Sequence, residues 1–304
     1  MIYRNFEELF STLKDNTVKR TCVVADAGDE HTLDAVVQAA KEGLMTPVLV
    51  GNSDEIKRIL KGLNENPDEY EIIGCESDEP AAEMACKIVK EGRANCIMKG
   101  RLETSTIMRA VLKAENGLRG DGPVSSVSML EIPGYHKLLL TTDPGGMIMY
   151  PDVDQKQQLI ENAVGMLNAI GIENPKVAVL AAVEKVNPKQ QATVDAAELK
   201  RRNEEGLIKG CIVDGPLSYD CAMSKKAAEA KHLESVVAGD PDLLLYPNID
   251  VGNICGKALV YTGGAKSAAI MIGAKVPVIN TSRSLSVDGK LRAIALAIAA
   301  GSCL

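Results

Sequence analysis

An α/β fold on a largely parallel sheet is what this sequence predicts, and three observations predict it. Short apolar, β-branched runs alternate with longer amphipathic stretches along nearly the whole chain. Helix stop and start residues, such as Gly43 and Ser53, punctuate the changes from one kind of segment to the other. The 304 residues favour two domains or one large one.

Taken in order, MIYRNFEELF reads as an amphipathic helix, and RTCVVADAG (20–28) as a strand and turn. HTLDAVVQAAKEG (31–43) is expected to be a helix closed by Gly43, and TPVLVGN (46–52) the next strand. SDEIKRILKGL (53–63) reads as a helix with Ser53 as its N-cap. EYEIIGC (69–75), EPAAEMACKIVKEG (79–92) and ANCIMKG (94–100) repeat the cycle. After Arg109 the texture changes. PVSSVSMLEIP (123–133) and YHKLLLTTD (135–143) lie close together and read as neighbouring strands able to pair antiparallel. Alternation then resumes through 155–171, 176–184, 192–206, 209–216, 224–232, 242–248 and 253–264 to KVPVIN (275–280) and a last apolar helix.

Bulk composition excludes several classes. A net charge of −7 argues against a broad surface for nucleic acid, so any anion site must be local. Two Phe and no Trp argue against base-stacking platforms. The longest apolar runs, such as 176–183, are too short to span a bilayer, and the first residues carry no secretory apolar region. Eight cysteines include no CxxC pair, and several sit inside strand-like runs, as free thiols in a reducing compartment do. Three scattered histidines argue against structural zinc. A cytoplasmic protein without membrane or nucleic-acid partners is expected.

The motifs are informative first by absence. There is no GxGxxG, no GxSxG, and 252–258 fails as a P-loop because its glycine spacing is one short and Ala258 stands where Ser or Thr is required. Polar clusters instead sit at strand ends, where open α/β sheets build ligand sites. Lys99-Gly100 with Thr104 and Ser105 at a helix start, and Arg109 within that helix, combine a point charge, a permissive backbone and free N–H groups, or else form a solvated loop. Thr141-Thr142-Asp143-Pro144-Gly145-Gly146 is a ligand loop or an ordinary turn. Asp214–Ser218 and Tyr246–Asn253 share that ambiguity. Ser282 and Arg283 follow an apolar strand, and Asp288 precedes the final helix. A guanidinium fork, a hydroxyl and a carboxylate there suit an anion, an oxyanion and a proton, or else Ser286 or Asp288 merely caps the helix.

In order, MKGRLETSTIMRAVL, ENGLRG, YHKLLLTTD, PKVAVLAAVEKVNPKQQATVDAAEL, IVDGPLSYDCAMS, LLLYPNIDVGN and GAKVPVINTSRS resemble the phosphate acyltransferases, most nearly the phosphate butyryltransferase branch, with phosphate acetyltransferase more distant. The resemblance implies reversible acyl transfer between coenzyme A and inorganic phosphate, with acyl phosphate as product. It implies coenzyme A as a substrate, no permanently bound cofactor or metal, and a homodimer or larger homo-oligomer. It also implies two three-layer α/β domains of the isocitrate/isopropylmalate dehydrogenase-like type with a cleft between them. On that pattern residues 1–132 with 277–304 form the first domain and 133–276 the second. Arg283 would hold phosphate, Ser282 the reacting carbonyl and Asp288 the thiol proton, with Asp143 competing for the last role. Lys99, Gly100, Thr104, Ser105, Arg109 and Asp143 would bind substrate. The acetyltransferase branch carries its base where this chain has Gly289, and the butyryltransferase branch often has Asp where this chain has Leu285. A metal- and NAD-dependent decarboxylating dehydrogenase relative and a non-catalytic binding module are the competing readings.

Overall fold

The computed structural model describes residues 2–14, 20–281 and 285–301. In chain order its strands are β1 (Thr21–Ala25), β2 (Thr46–Gly51), β3 (Glu71–Gly74), β4 (Cys96–Lys99), β5 (Ser125–Glu131), β6 (Leu139–Thr142), β7 (Lys176–Leu180), β8 (Ile212–Leu217), β9 (Leu243–Leu245), β10 (Lys266–Ile272) and β11 (Val278–Ile279). The helices are α1 (Phe6–Lys14), α2 (Glu30–Lys41), α3 (Ser53–Gly62), α4 (Asp78–Lys90), α5 (Thr104–Leu112), α6 (Val153–Ala169), α7 (Gln191–Glu204), α8 (Tyr219–Met223), α9 (Lys225–Ala230), α10 (Ile249–Tyr261) and α11 (Val287–Ala300).

The chain divides into two compact units, residues 7–121 with 268–304, and residues 1–6 with 122–267. The sequence reading put the joins at 132/133 and 276/277, and pairing explains the difference. β5 is antiparallel to β6 from Val127↔Thr142 to Leu130↔Leu139, so it belongs with the second unit. Met271 at the end of β10 pairs with Val278 of β11, which holds that end in the first.

In the first unit the strand order is β3-β2-β1-β4-β11-β10. β1 runs parallel to β2 and β4, β2 to β3 and β4 to β11. β1 is buried from Cys22 to Ala25. Apolar on nearly every side, α11 is buried accordingly and packs on α2. In the second unit the order is β5-β6-β9-β7-β8, parallel from β6 onward. Its core gathers Leu139, Ala178, Leu180, Leu217, Leu244 and Tyr246.

Two local expectations need correction. Asn52, not Ser53, caps α3, its side chain accepting from the Glu55 amide at 3.0 Å. KSAAIMI forms β10 although the sequence reading passed over it: lysine and alanine fill three of its seven positions, and its only β-branched residues are two isoleucines.

Candidate active site

In the first unit the chain winds outward from β1 to β2 and β3, then crosses to β4 on β1's other side. Ligands of open α/β sheets bind outside the carboxyl ends of strands at such a reversal. Ala25 pairs with Lys99 and Ile279 with Met98, so the ends of β1, β4 and β11 lie side by side. Lys99 is only 5% exposed, and its ammonium donates to the carbonyls of Leu102 at 3.0 Å and Gly100 at 3.3 Å. The positive charge is thus fixed inside the turn that leads into α5. Gly100 is required by protein, not only by any ligand: a Cβ there would lie 2.0 Å from the Asp26 carbonyl oxygen.

Thr104 and Ser105 open α5, with Glu103 as the N-cap residue. Thr104 Oγ1 donates to Asn280 Oδ1 at 2.8 Å, joining this turn to the end of β11. Ser105 and Arg109 are exposed, and Arg109 pairs with Glu79 at 3.6 Å. Thr281 is buried, and its hydroxyl has no partner among the described residues. Ser282 and Arg283 lie outside the described residues. Asp288 is exposed in the first turn of α11, while Ser286 caps that helix by accepting from the Gly289 amide at 3.2 Å. A Cβ on Gly289 would lie 2.6 Å from the Leu285 side chain, which would have to shift to admit one.

Sequence reasoning missed Asp26. It follows β1 with φ 54°, is buried, and meets Arg101 Nε at 3.3 Å. Burial pushes its carboxyl above the usual range, against the pull of Arg101. The available signal was a carboxylate closing an apolar strand beside a glycine, in ADAG.

Asp143 belongs to the second unit and has a local occupation. One oxygen accepts from the Ser126 amide at 2.8 Å and from the Ser126 hydroxyl; the other accepts from the Ile148 amide at 3.1 Å. The Gly145 amide donates to Ser126 Oγ at 2.6 Å, closing the turn. Gly146, at φ 63°, sits where a Cβ would meet Ile249 at 2.1 Å. Elsewhere in this unit Lys231 reaches Glu184 at 2.8 Å and Asp220 at 3.0 Å, with Ser218 bonded to both carboxylates. These donors, Lys231 first for Glu184 and Ser218 first for Asp220, hold both carboxyls down to about 2. Glu184, Asp220 and Cys221 approach one another as metal ligands would, but Lys231 already supplies the cation.

A buried ammonium and a helix start at the reversal of a largely parallel sheet are features with which open α/β folds hold anionic ligands. The family model described as phosphate acetyl/butaryl transferase matches residues 6–86 and 79–298, and the chain belongs to that family. It is 40% identical over 294 residues to a phosphate butyryltransferase of Clostridium acetobutylicum, covering 97% of each. It is 42% identical over 273 residues to a phosphate acetyltransferase of Thermotoga maritima, covering 90% of this chain and 92% of the relative. Among solved structures, a branched-chain phosphotransacylase of Enterococcus faecalis V583 matches with a TM-score of 0.83 and 30% identity over 93% of this chain and 99% of its own.

Proposed function

We propose that the chain moves a short acyl group, butyryl in the first instance, reversibly between coenzyme A and inorganic phosphate. The observation that carries this reading, within a chain of this family, is the β4–α5 turn. There a buried ammonium, the start of a nine-residue helix and the end of β11 share one strand edge. Free N–H groups at the helix start and the Lys99 charge favour an anion, with Ser105 exposed beside them. Arg109, exposed and paired with Glu79 at 3.6 Å, lies further along the same helix.

In the acyl-phosphate direction of attack, the coenzyme A thiol gives its proton to a carboxylate and the thiolate adds to the acyl carbonyl. The C–O bond to phosphate then breaks, and phosphate leaves with the bonding electron pair. Ser282 donates to the tetrahedral oxyanion, and Arg283 balances the charge of the departing phosphate. Asp288 is the better base of the two weighed from sequence. Its carboxylate is exposed and does not cap its helix, whereas both oxygens of Asp143 already accept protein donors. Direct transfer requires neither an acyl-enzyme nor a resident cofactor.

The same reading carries a dehydrogenase-like arrangement of the two domains around a cleft and a homodimer or larger assembly. It also carries a cytoplasmic setting, in keeping with seven unpaired cysteines among the described residues. The test is phosphate-dependent thiol release from acetyl-, propionyl-, butyryl- and branched-chain acyl-CoA. Release fastest with butyryl-CoA or a branched analogue is expected; no release from any of them ends the proposal.

A further inference from the structure

Asp26 and Arg101 are joined twice, and the acyl-transfer steps leave the pair without a role. Asp26 follows β1 in the left-handed region at φ 54°, a conformation that glycine, asparagine and aspartate tolerate best. There its carbonyl accepts from the Arg101 amide at 2.9 Å, beside the bond from the Gly100 amide to the Ala25 carbonyl at 2.8 Å. Its carboxylate accepts from Arg101 Nε at 3.3 Å, and Arg101 Nη1 reaches on to Glu55 of α3 at 3.2 Å. The guanidinium thus ties the β4–α5 turn to the end of β1 and the first turn of α3. In that turn the carbonyls of Gly100 and Leu102 hold the Lys99 ammonium. Whatever fixes residue 101 on residue 26 also fixes where that charge stands.

Stability alone does not account for a carboxylate at this position. Glycine would adopt φ 54° readily and keep the main-chain bond. The Asp26 side chain is 6% exposed and that of Arg101 48%, so the gain from pairing is set against desolvation on one side and screening on the other. Burial pushes the Asp26 carboxyl upward more strongly than Arg101 pulls it down, and Asp78 and Glu55 add to the rise. The fold keeps a desolvated carboxylate where a neutral residue would serve the backbone, and groups of that kind cluster at functional sites. Resting on the acyl-transfer reading above, we propose that Asp26 and Arg101 are positioning residues for phosphate: their ion pair holds the β4–α5 turn, and with it Lys99, where the start of α5 and the ammonium grip one anion together. Neither residue takes part in bond making or breaking.

The test is thiol release from butyryl-CoA at varied phosphate, in Asp26→Asn, Arg101→Gln and the double variant of the full chain. Asparagine keeps the shape of residue 26 and its tolerance of the left-handed region, and Arg101 is half exposed, so both single variants can fold. Each is expected to raise KM for phosphate about tenfold, with kcat and KM for butyryl-CoA within about twofold of wild type. Loss of folded enzyme would lower apparent kcat and leave KM as it is, so the split separates positioning from stability. The double variant should be no worse than either single one, because the two side chains act as one unit. A KM for phosphate within about twofold of wild type in both single variants overturns the proposal, and so do effects that multiply in the double variant. A fall in kcat at unchanged KM overturns it as well, and the unfolding midpoint then tells lost fold from lost proton transfer. Absence of phosphate-dependent thiol release in wild type is the separate failure, that of the acyl-transfer reading. Calorimetric titration with inorganic phosphate then decides for the pair. Binding about tenfold weaker in Asp26→Asn supports it, and affinity equal to that of wild type overturns it.

Discussion

Thr104 Oγ1 donates a 2.8 Å hydrogen bond to Asn280 Oδ1, joining the first residue of α5 to the end of β11 across 176 positions of sequence. The bond fixes the turn that holds Lys99 relative to the segment that leads into Ser282 and Arg283. Removing it with Thr104→Val should cost about 1 kcal/mol of stability, the net worth of one neutral hydrogen bond. Activity should fall further, at least tenfold in kcat/KM for phosphate, because placement of anion-binding groups to a fraction of an ångström governs such sites. Thr104→Ser keeps the donor and should restore most of both. Steady-state kinetics and urea unfolding of the two variants check this; a valine variant with wild-type kcat/KM refutes it.

Gly100 faces the β1 backbone so closely that any side chain must displace it. Gly100→Ala should destabilise by about 3 kcal/mol, the upper end of overpacking costs, since the obstacle is a carbonyl and not a flexible side chain. The loss should appear in the midpoint of chemical unfolding before any kinetic effect is considered. A midpoint within error of wild type would show that the strand ends can move apart.

Tyr246 supplies the opposite sign. Its hydroxyl is buried without a partner in hydrogen-bond geometry among the described residues, which leaves its desolvation uncompensated there. Tyr246→Phe should hold or raise stability, by up to about 1 kcal/mol. Saturating acyl-CoA should then stabilise wild type more than the variant if the hydroxyl finds its acceptor on the ligand. Thermal unfolding with and without acyl-CoA reads both quantities, and a phenylalanine variant that melts several degrees lower contradicts the first.

The Lys231 network sets an acid limit. In the fold, Glu184 and Asp220 titrate at about 2, held down first by Lys231 and by Ser218 respectively, against ordinary values of 4.5 and 3.8. A depressed carboxylate pKa contributes stability above the unfolded value, and that contribution fades as pH falls through the folded one. Wild type should therefore exceed Lys231→Met in unfolding midpoint at pH 6, with the gap closing between pH 4.5 and 2. A gap independent of pH over that window would mean that Lys231 stabilises by packing alone.

How much of this was legible in the residues follows from the range of each interaction. Strand and helix alternation is local, so β1 to β9 and most of the helices between them follow from runs such as TCVVA and LLL, while the five-residue α8 did not. β10 escaped because KSAAIMI owes its extended form to pairing with β11, which its own residues scarcely favour. The β4–α5 turn was recognisable as a strand end with hydroxyls at a helix start, yet the close approach of Asp26 to Gly100 joins segments 74 residues apart that no local pattern links. Asp143 looked like a free carboxylate because Ser126, which occupies it, lies 17 residues earlier on a neighbouring strand.

The two carboxylates weighed as base should separate cleanly. Asp288 is exposed, contributes no cap hydrogen bond, and stands in the first turn of α11. Asp288→Asn should leave the unfolding midpoint unchanged and lower kcat at least tenfold, with the loss shrinking as pH rises and the thiol ionises unaided. Asp143 is 5% exposed and accepts from Ser126 and Ile148, so Asp143→Asn must put an amide donor against donors. That variant should lose about 2 kcal/mol of stability or more. Any fall in its activity should track the folded fraction, without a shift in the pH profile. Turnover of Asp288→Asn within threefold of wild type would remove Asp288 as the base. Attention would then pass to Asp26, whose buried carboxyl at the end of β1 already titrates above its ordinary value.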